Sequence, residues 1–264
     1  MKYRQVRPSA ATAGFIECYW ILEDDCRGTG DVQRVVPDGR SELILNFGCP
    51  FESVRKGRWE KQPACFFAGQ ITGPMLIRSA GPARMLGVRF RPAGARRVLR
   101  LPMDELAGLV VPLEDIAPGL ERELRGVREY GLVDRILQRA ACEKRSVIGE
   151  AVASVITAGG MMAVGDVAGD CGLSVRQFER RFLDEVGMTA KVFCRIQRFQ
   201  RVFQAMQVPG FTWADGAARC GYYDQAHLIR DFRDFSGEAP GALLREDTDL
   251  ACHFLQDDVV FFQD

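Results

Sequence analysis

The chain has 264 residues, of which 47% are hydrophobic and 27% are charged, a composition typical of a globular protein and not of a disordered, collagen-like or coiled-coil chain. Lysine plus arginine equals aspartate plus glutamate at 35 each, so no overall field draws the molecule to nucleic acid or a membrane, and a polyanion site has to be local. At this length we expect one or two domains.

Targeting and metal signals are weak throughout the sequence. Met1 to Arg7 has no apolar segment and no run of 18 apolar residues occurs, so we expect no signal peptide, no membrane span and a cytoplasmic location. The nine cysteines form no C-x-x-C pair, and the two histidines, His227 and His253, are far apart. We therefore expect no disulfide framework, no metal site and no cofactor.

The first 142 residues read as short strands followed by helices. Turn signals such as Pro37-Asp38-Gly39 separate segments rich in β-branched, aromatic and long apolar residues. The predicted strands are Phe15 to Leu22, Leu43 to Phe47, Cys65 to Ala68, Met75 to Ile77 and Met85 to Phe90. After Pro92 the predicted helices are Ala93 to Leu99, Met103 to Ala107, Gly119 to Arg128 and Leu132 to Ala141. This spacing predicts an antiparallel barrel or sandwich with flanking helices.

The next section, from about residue 143, has a helical period. Apolar residues at 148, 151, 152, 155 and 156 predict a helix that ends at Gly159-Gly160, and a longer helix is predicted from about Thr189 to Val208, before Pro209-Gly210. One face of the longer helix is expected to be wet and basic, through Lys191, Arg195, Arg198 and Arg201. This basic excess fits either a solvated helix face or contact with a polyanion.

Two segments of this section repeat each other at an offset of 50 residues. Ser174 to Phe182, SVRQFERRF, aligns with Asp224 to Phe232, DQAHLIRDF. Each copy follows a Cys-Gly pair, begins with a residue that caps helices, and reaches a glycine thirteen residues after the cap. The spacing predicts a helix, a glycine turn and a capped helix in each copy, which is the arrangement of a helix-turn-helix with its second helix in the DNA major groove.

The outward positions of the two capped helices carry residue types that read base edges. Positions one, two, five and six after each cap include arginine, glutamine, glutamate and isoleucine, all of which contact bases in the major groove. An exposed arginine on one helix is usually only solvated, but two matches in register are more specific for DNA. The predicted DNA contacts are Val175, Arg176, Gln177, Glu179 and Arg180 in the first copy and Gln225, Ala226, Ile229, Arg230 and Arg233 in the second.

The helix between the two copies sets their separation. Its predicted 20 residues span roughly 30 Å at 1.5 Å per residue. One turn of DNA is about 34 Å long, so one chain could place two recognition helices in successive major grooves.

The segment from Ala168 to Leu244 resembles the DNA-binding domain of AraC-type transcription regulators. Gly221 to Arg233, followed by Gly237-Glu238-Ala239-Pro240, is similar to the most characteristic stretch of that family. The resemblance covers roughly residues 145 to 246. It implies seven helices, recognition helices at about Val175 to Glu185 and Gln225 to Phe235, and base-facing roles for residues among the predicted DNA contacts.

Two features depart from the family pattern. Ala190 stands where many relatives have proline at the start of the linking helix. Residues 143 to 246 hold 13 basic and 13 acidic residues, which is less basic than expected. Because few phosphates would be neutralised, we expect modest non-specific affinity for DNA and a shallow dependence on salt.

The amino-terminal half is similar to a group of AraC-type regulators with an uncharacterised sensor domain. The similarity is carried by Val36 to Ile44, Gly87 to Ala95 and the closing Phe261 to Asp264, and it does not identify a ligand. A small β-domain offers a concave interior for an effector. The candidate effector-binding residues are Trp20, Arg40, Glu42 and Arg89, each of which also fits a role in the core or in a turn.

The tail from Asp247 to Asp264 contains five aspartates and no lysine or arginine. Its apolar residues, among them Phe254 and Leu255, predict that it folds back on the amino-terminal domain. We therefore expect an α+β protein with three parts: residues 1–142, an antiparallel β-barrel or sandwich-like domain that is β-rich to about 92, for effector sensing or dimerisation; residues 143–246, an all-α double helix-turn-helix domain; and the tail, 247–264.

The leading hypothesis is a bacterial-type, sequence-specific transcription regulator and not an enzyme. Its candidate partners are double-stranded DNA, a small-molecule effector, RNA polymerase and a second copy of the chain. The alternatives are a DNA alkyl-transfer protein, which needs an activated thiolate, and a redox sensor that uses Cys18, Cys26, Cys49 or Cys65. A pure protein-interaction module is a third reading, and it would require the outward helix positions to be inert.

Overall fold

The amino-terminal part of the chain forms two antiparallel sheets. The computed structural model describes residues 2–25, 32–142, 146–206 and 209–240. The strands are β1 Lys2–Val6, β2 Ile16–Asp24, β3 Val32–Val35, β4 Glu42–Asn46, β5 Phe51–Arg55, β6 Arg58–Lys61, β7 Cys65–Ala68, β8 Met75–Ser79, β9 Ala83–Phe90 and β10 Val110–Pro112. One sheet has the order β1-β2-β9-β4-β7-β10 and the other has the order β3-β8-β5-β6. The sheets are not closed into a barrel, so the sandwich-like alternative of the prediction is confirmed.

Alternating residues of the six-stranded sheet face two different layers. Tyr19, Leu43 and Val88 face a core that includes Leu137 and other helix residues. Their neighbours Trp20 and Met85 pack instead with Phe51 of the four-stranded sheet. This period of two places a layer of helices on one face of the large sheet and the small sheet on the other.

The helices that cover the large sheet follow β9 in the chain. They are α1 Ala95–Leu99, a 3₁₀ helix Met103–Leu106, α2 Leu113–Ile116, α3 Pro118–Leu124 and α4 Tyr130–Ala140. The predicted strands and helices of this part are all present with shifted ends. The sequence did not predict β1, β3, β5, β6, β10 or α2. Polar residues on β1 and β6 account for two of these, because edge strands lack the apolar pattern on which the prediction relied.

Six further helices form the second core. They are α5 Val147–Thr157, α6 Val164–Asp170, α7 Val175–Val186, α8 Ala190–Met206, α9 Trp213–Arg219 and α10 Gln225–Ser236. Their centre is a group of contacting aromatic rings that includes Phe182, Phe193, Phe199 and Phe232. The resemblance implies seven helices, of which these six lie among the described residues, and the tail that is predicted to dock, residues 247–264, lies outside them. No helix of the described chain is long and apolar enough to cross a membrane.

A buried carboxylate ties α4 to the large sheet. Oδ1 of Asp134 accepts hydrogen bonds from the Thr12 hydroxyl, from the Tyr19 hydroxyl at 2.9 Å and from the Ser9 amide at 3.3 Å. Burial raises the pKa of Asp134, but these hydrogen bonds outweigh burial and hold the pKa below its ordinary value. The ionised carboxylate is thus the form that the fold stabilises.

We expect Asp134→Ala to lower the free energy of unfolding by about 2–3 kcal/mol, because it leaves two hydroxyls and an amide without their acceptor. Since the folded pKa is lowered, the contribution of Asp134 is present above the unfolded pKa of about 3.9 and is lost as the pH falls through the folded value. Urea unfolding at several pH values measures both effects. Arg135→Ala, at an exposed position of the same helix, is the control, and an equal loss in both variants would contradict the assignment.

Candidate nucleic-acid interface

The first helix-turn-helix unit consists of α6 and α7. The turn contains Gly172 with φ +64°, and α7 starts after Ser174. The Ser174 hydroxyl accepts a hydrogen bond from the amide of Gln177 at 3.3 Å, and the Ser174 amide donates to Gln177 Oε1 at 3.2 Å. This reciprocal capping box fixes the first turn of α7, and the helix ends at Gly187.

The second unit, α9 and α10, repeats the first. Its turn contains Gly221 with φ +75°, and the carboxylate of Asp224 accepts from the amide of His227 at 2.7 Å. The helix ends at Gly237. The predicted succession of helix, glycine turn and capped helix is confirmed in both copies.

The inward positions of both copies are buried. Phe178 and Leu228 occupy the fourth position after the cap, and Phe182 and Phe232 occupy the eighth, all with at most 1% of their surface exposed. These side chains anchor each recognition helix in the common aromatic core. The opposite face of each helix is therefore fixed in direction.

The predicted DNA contacts lie on those opposite faces. Nine of the ten are exposed, including Val175 with 47% of its surface, and Ile229 is half-buried. Gln177 is exposed as well, and its Oε1 accepts the hydrogen bonds of the capping box. Its NH₂ group is therefore the part of the side chain that could donate to DNA. The exposed faces carry Arg176 and Arg180 on α7 and Arg230 and Arg233 on α10.

The wet basic face predicted for α8 is wrong for Arg195 and Arg198. Arg195 donates to Asp231 of α10 at 2.8 Å and to Asp234 at 2.6 Å. Arg198 donates to the carbonyl of Gly160 at 2.8 Å. These two arginines therefore hold helices and loops together and are not part of a surface that binds a polyanion. Lys191 is exposed, and Arg201 is half-buried on the wall of a cleft.

The amino-terminal domain contacts the middle of α8 through the loop at residues 36–40. The side chain of Gln200 donates to the carbonyl of Pro37 at 2.5 Å, and that of Gln197 donates to the carbonyl of Asp38 at 3.4 Å. The two glutamines are one turn apart on α8, so the same face of the helix holds two successive carbonyls of the loop.

Apolar packing supports this loop contact. Val36 is buried in the core of the carboxy-terminal helices, although it belongs to the amino-terminal part of the chain. Gly39 has φ +78°, and a Cβ atom there would lie 2.6 Å from the ring of Phe193 on α8. Only glycine permits so close an approach in this backbone conformation.

Both recognition helices are also held at their carboxyl ends. The 3₁₀ helix packs against α7, where Arg96 donates to Asp184 at 3.1 Å. Arg34 of β3 donates to the carbonyl of Ser236, the last residue of α10, at 2.5 Å and to Glu238 at 2.9 Å. The amino-terminal domain therefore contacts both helices at their carboxyl ends, and their amino-terminal turns stay exposed.

All four candidate effector-binding residues line one cavity between the two sheets. The cavity has a volume of about 120 Å³, and its walls include Trp20, Phe51, Phe66 and Met75 with Arg40, Glu42 and Arg89 at one end. The indole of Trp20 lies against Gly87, where a Cβ atom would overlap the ring. The cavity is thus mostly apolar with a charged end.

The charged end is an ion-pair cluster centred on Arg89, which is 6% exposed. Arg89 donates to Asp38 and, at 3.0 Å, to Glu42, and lies 3.6 Å from Glu17. Arg40 donates to Glu17 at 2.5 Å. The sequence pointed to neither Asp38 nor Glu17 as part of this site, and the only signal was the position of Asp38 in the turn before Arg40.

Ionisation in the cluster follows from burial and pairing. Burial lowers the pKa of Arg89, but the neighbouring Asp38, Glu42 and Glu17 outweigh it and raise the pKa above its usual value. Burial raises the pKa of Glu42 to about 7, with Arg89 opposing and Asp38 adding to the shift. Arg89 is therefore charged at all ordinary pH values, whereas Glu42 changes its charge near neutrality.

Family comparisons identify both halves of the chain. Residues 167–246 match a family described as a helix-turn-helix domain, and residues 4–112 match a family described as a domain of unknown function, DUF6597. The first match contains both recognition helices. Residues 167–246 therefore form a helix-turn-helix domain.

Several solved structures are similar to the chain, over a part of it or over most of its length. The DNA-binding domain of AdpA in complex with a target DNA is 24% identical, with 38% of this chain and 90% of that chain covered and a TM-score of 0.35. An AraC-type regulator from Chromobacterium violaceum is 23% identical, covering 36% and 87%, with a TM-score of 0.34. ToxT from Vibrio cholerae strain SCE256, bound to an unsaturated fatty acid, is 13% identical, covering 88% and 97%, with a TM-score of 0.46. No curated protein matches the chain.

The chain departs from the family pattern at Ala190, where many relatives have proline, and a neighbouring residue compensates for the loss of that proline. Ala190 is the first residue of α8 and is buried, and the hydroxyl of Thr189 accepts a hydrogen bond from the amide of Val192 at 3.3 Å. A capping hydroxyl therefore stabilises this helix start in place of the proline. The helix has 17 described residues, about 26 Å at 1.5 Å per residue, and residues 207–208 at its predicted end lie outside the described residues.

The cysteines proposed for redox sensing differ in setting. Burial raises the pKa of Cys18 and of Cys65 to about 12, which disfavours the reactive thiolate at both positions. Cys49 is half-buried, and Cys26 lies outside the described residues. Among the described residues no three His, Cys, Asp or Glu side chains are grouped as metal ligands.

We expect Arg195→Ala to destabilise the protein by about 2–4 kcal/mol, because Asp231, only 2% exposed, would lose its charged partner. Denaturant unfolding measures the loss. Lys191→Ala, which removes an exposed charge from the same helix, should change the free energy of unfolding by less than about 0.5 kcal/mol. If Arg195→Ala leaves stability unchanged and only weakens DNA binding, the bracing role is wrong.

Proposed function

We propose that the protein is an AraC-type transcription regulator that binds DNA sequence-specifically by placing α7 and α10 in successive major grooves. The observation that carries the proposal is the repeat of two capped helices whose amino-terminal turns are exposed while their carboxyl ends are packed. In helix-turn-helix proteins the amino-terminal residues of the recognition helix are those that contact base edges. Arg176 and Arg180 on α7 and Arg230 on α10 would make the two-pronged contacts to purines.

The proposed division of the chain follows the two cores. Residues 1–142 would form the sensing domain and residues 143–246 the DNA-binding domain, with residues 247–264 as a separate tail. The interface between the domains supports control of one by the other, because the loop at residues 36–40 touches both α8 and the charged end of the cavity. A small molecule in the cavity would act on DNA binding by moving this loop.

The regulator is proposed to act without catalysing a reaction and in the cytoplasm, where bacterial DNA is found. Contact with RNA polymerase and formation of a homodimer stay predictions that none of the described contacts tests. The candidate effector residues Trp20, Arg40, Glu42 and Arg89 are kept together as one site because they line one cavity.

DNA selected from a random pool by the full-length chain provides the site for the first test. We expect Arg180→Ala and Arg230→Ala each to weaken binding to that site by about 1–3 kcal/mol in gel-shift titrations, and to relax the preference at the contacted bases. Arg58→Ala, an exposed arginine on β6, should leave the affinity unchanged. Unchanged affinity in both recognition-helix variants would contradict the proposed mode of reading.

The contact between the domains predicts a second effect of DNA. Because linkage is reciprocal, fixing α8 on DNA should stabilise the loop that α8 holds, so amides from Asp38 to Asn46 should exchange with solvent more slowly in the complex. Amide exchange detected by mass spectrometry measures this, with the distant β5–β6 hairpin as an internal reference. The double variant Gln197→Ala/Gln200→Ala should lose the effect and Lys191→Ala, at an exposed position of α8, should keep it. Equal exchange with and without DNA in the unmodified chain would argue against coupling.

A further inference from the structure

The cavity between the sheets is the size of one small ring. Its volume of about 120 Å³ is slightly below the roughly 150 Å³ of an engineered apolar cavity that binds benzene. Aliphatic and aromatic side chains from both sheets form most of the wall. A ligand of this cavity therefore has a compact apolar body and contacts the charged end with one polar group.

The charged end of the cavity holds charges of both signs. Two guanidinium groups, Arg40 and Arg89, and two carboxylates, Asp38 and Glu42, line it. Arg89 already has a carboxylate on each side, so an anionic ligand would have to displace one of them. A cation would instead pair with a carboxylate of the wall.

Glu42 is the carboxylate of the cavity wall that suits a ligand. Asp38 lines the cavity as well, but both of its oxygens already accept hydrogen bonds, from Arg89 and from the amide of Arg40 at 2.9 Å. Glu17 lies on the far side of the cluster, in the cleft towards α8 with Arg201. Burial raises the pKa of Glu42 to about 7, with Arg89 opposing the shift. Glu42 is therefore the group that a ligand cation would pair with.

The aromatic side chains beside Glu42 also suit a cation. The rings of Tyr3 and Trp20 stack with their centroids 6.3 Å apart, and both line the cavity together with Phe51 and Phe66. The faces of aromatic rings attract ammonium groups, most strongly where water is excluded.

We propose that the cavity binds a small apolar amine whose ring lies among these aromatic side chains and whose ammonium group pairs with Glu42. This inference rests on the proposed control by a small molecule and names the chemistry of its ligand. Binding would alter the pairing of Glu42 with Arg89 in the cluster that holds Asp38, and thereby act on the loop that contacts α8.

Three probes of nearly equal size separate charge from shape. Benzylamine, benzyl alcohol and benzoate share a benzene ring and differ in carrying a positive, a neutral or a negative group. In isothermal titration calorimetry with the full-length chain at pH 7.5, we expect benzylamine to bind at least about tenfold more tightly than the other two, as expected for one added buried ion pair. Equal or tighter binding of benzoate or benzyl alcohol, or no binding of any probe, would overturn the inference.

A variant of Glu42 tests the pairing directly. Glu42→Gln keeps the size of the side chain and removes its charge, so benzylamine should bind about tenfold more weakly while benzyl alcohol is unaffected. Glu52→Gln, which removes a carboxylate that pairs with Arg78 on the four-stranded sheet, is the matched control and should bind benzylamine normally. An unaltered benzylamine affinity in Glu42→Gln would refute the pairing.

The dependence on pH gives an independent readout. The charged and titratable groups around Glu42 are Arg89, Asp38, Tyr3 and Cys18, with the indole of Trp20 beside them. Burial raises the pKa of Glu42 to about 7 and moves the pKa values of Tyr3 and Cys18 further above neutrality. Since the ammonium prefers ionised Glu42, benzylamine should bind about tenfold more tightly at pH 8 than at pH 6, and Glu42→Gln should abolish this difference. A flat pH profile in the unmodified chain would contradict the role of Glu42.

Failure here is distinguishable from failure of the proposed function. Gel-shift titration without any amine tests DNA recognition alone, and calorimetry without DNA tests the cavity alone. DNA recognition without amine binding would overturn the ligand class only. Amine binding that leaves DNA affinity unchanged would support the site and contradict its coupling to α8.

Discussion

The pairing of one buried arginine determines how the two halves of the regulator are joined. Arg89 lies inside the sandwich, where an uncompensated charge would be very costly, and so it requires carboxylates around it. Glu17 and Glu42 come from neighbouring strands, but Asp38 comes from a loop. Satisfying Arg89 therefore fixes that loop to the sheet, and the carbonyls of Pro37 and Asp38 are then presented to α8.

The same connection links the amino-terminal domain to both recognition helices. The loop at residues 36–40 contacts α8, the helix that separates α7 from α10, and further contacts hold the last turns of those two helices. A shift of the loop would thus change the relative placement of the recognition helices without touching their exposed turns. A few hydrogen bonds and one buried valine are involved, which suits a coupling free energy of about 1–3 kcal/mol.

Local signals in the sequence predicted more than long-range ones. Caps, glycine turns and the 50-residue offset located α7 and α10 to within one residue, because each depends on neighbours in the chain. The partnership of Arg89 with Glu17 and Asp38 could not be predicted, since it depends on strand register and on a loop 51 residues away. The basic face of α8 was wrong for the same reason: Asp231 and Asp234, which neutralise Arg195, lie on another helix. Trp20, Arg40, Glu42 and Arg89 were singled out individually, and only the fold brings them to one cavity.

The pairing of arginines within the protein also affects how many basic side chains it could use to bind DNA. Residues 143–246 carry no net charge. Arg195 and Arg198 form hydrogen bonds within the protein, and Arg176, Arg180 and Arg230 are among its exposed basic residues. Non-specific affinity comes from the number of phosphates neutralised, so a neutral domain gains little from it. A larger share of the binding free energy must then come from base contacts by two helices held at a defined spacing. In such a protein, a coupling free energy of one or two kcal/mol that alters the spacing of the two helices acts on the base contacts, which supply most of the affinity. Little sequence-independent attraction remains to keep the protein on DNA when those contacts weaken.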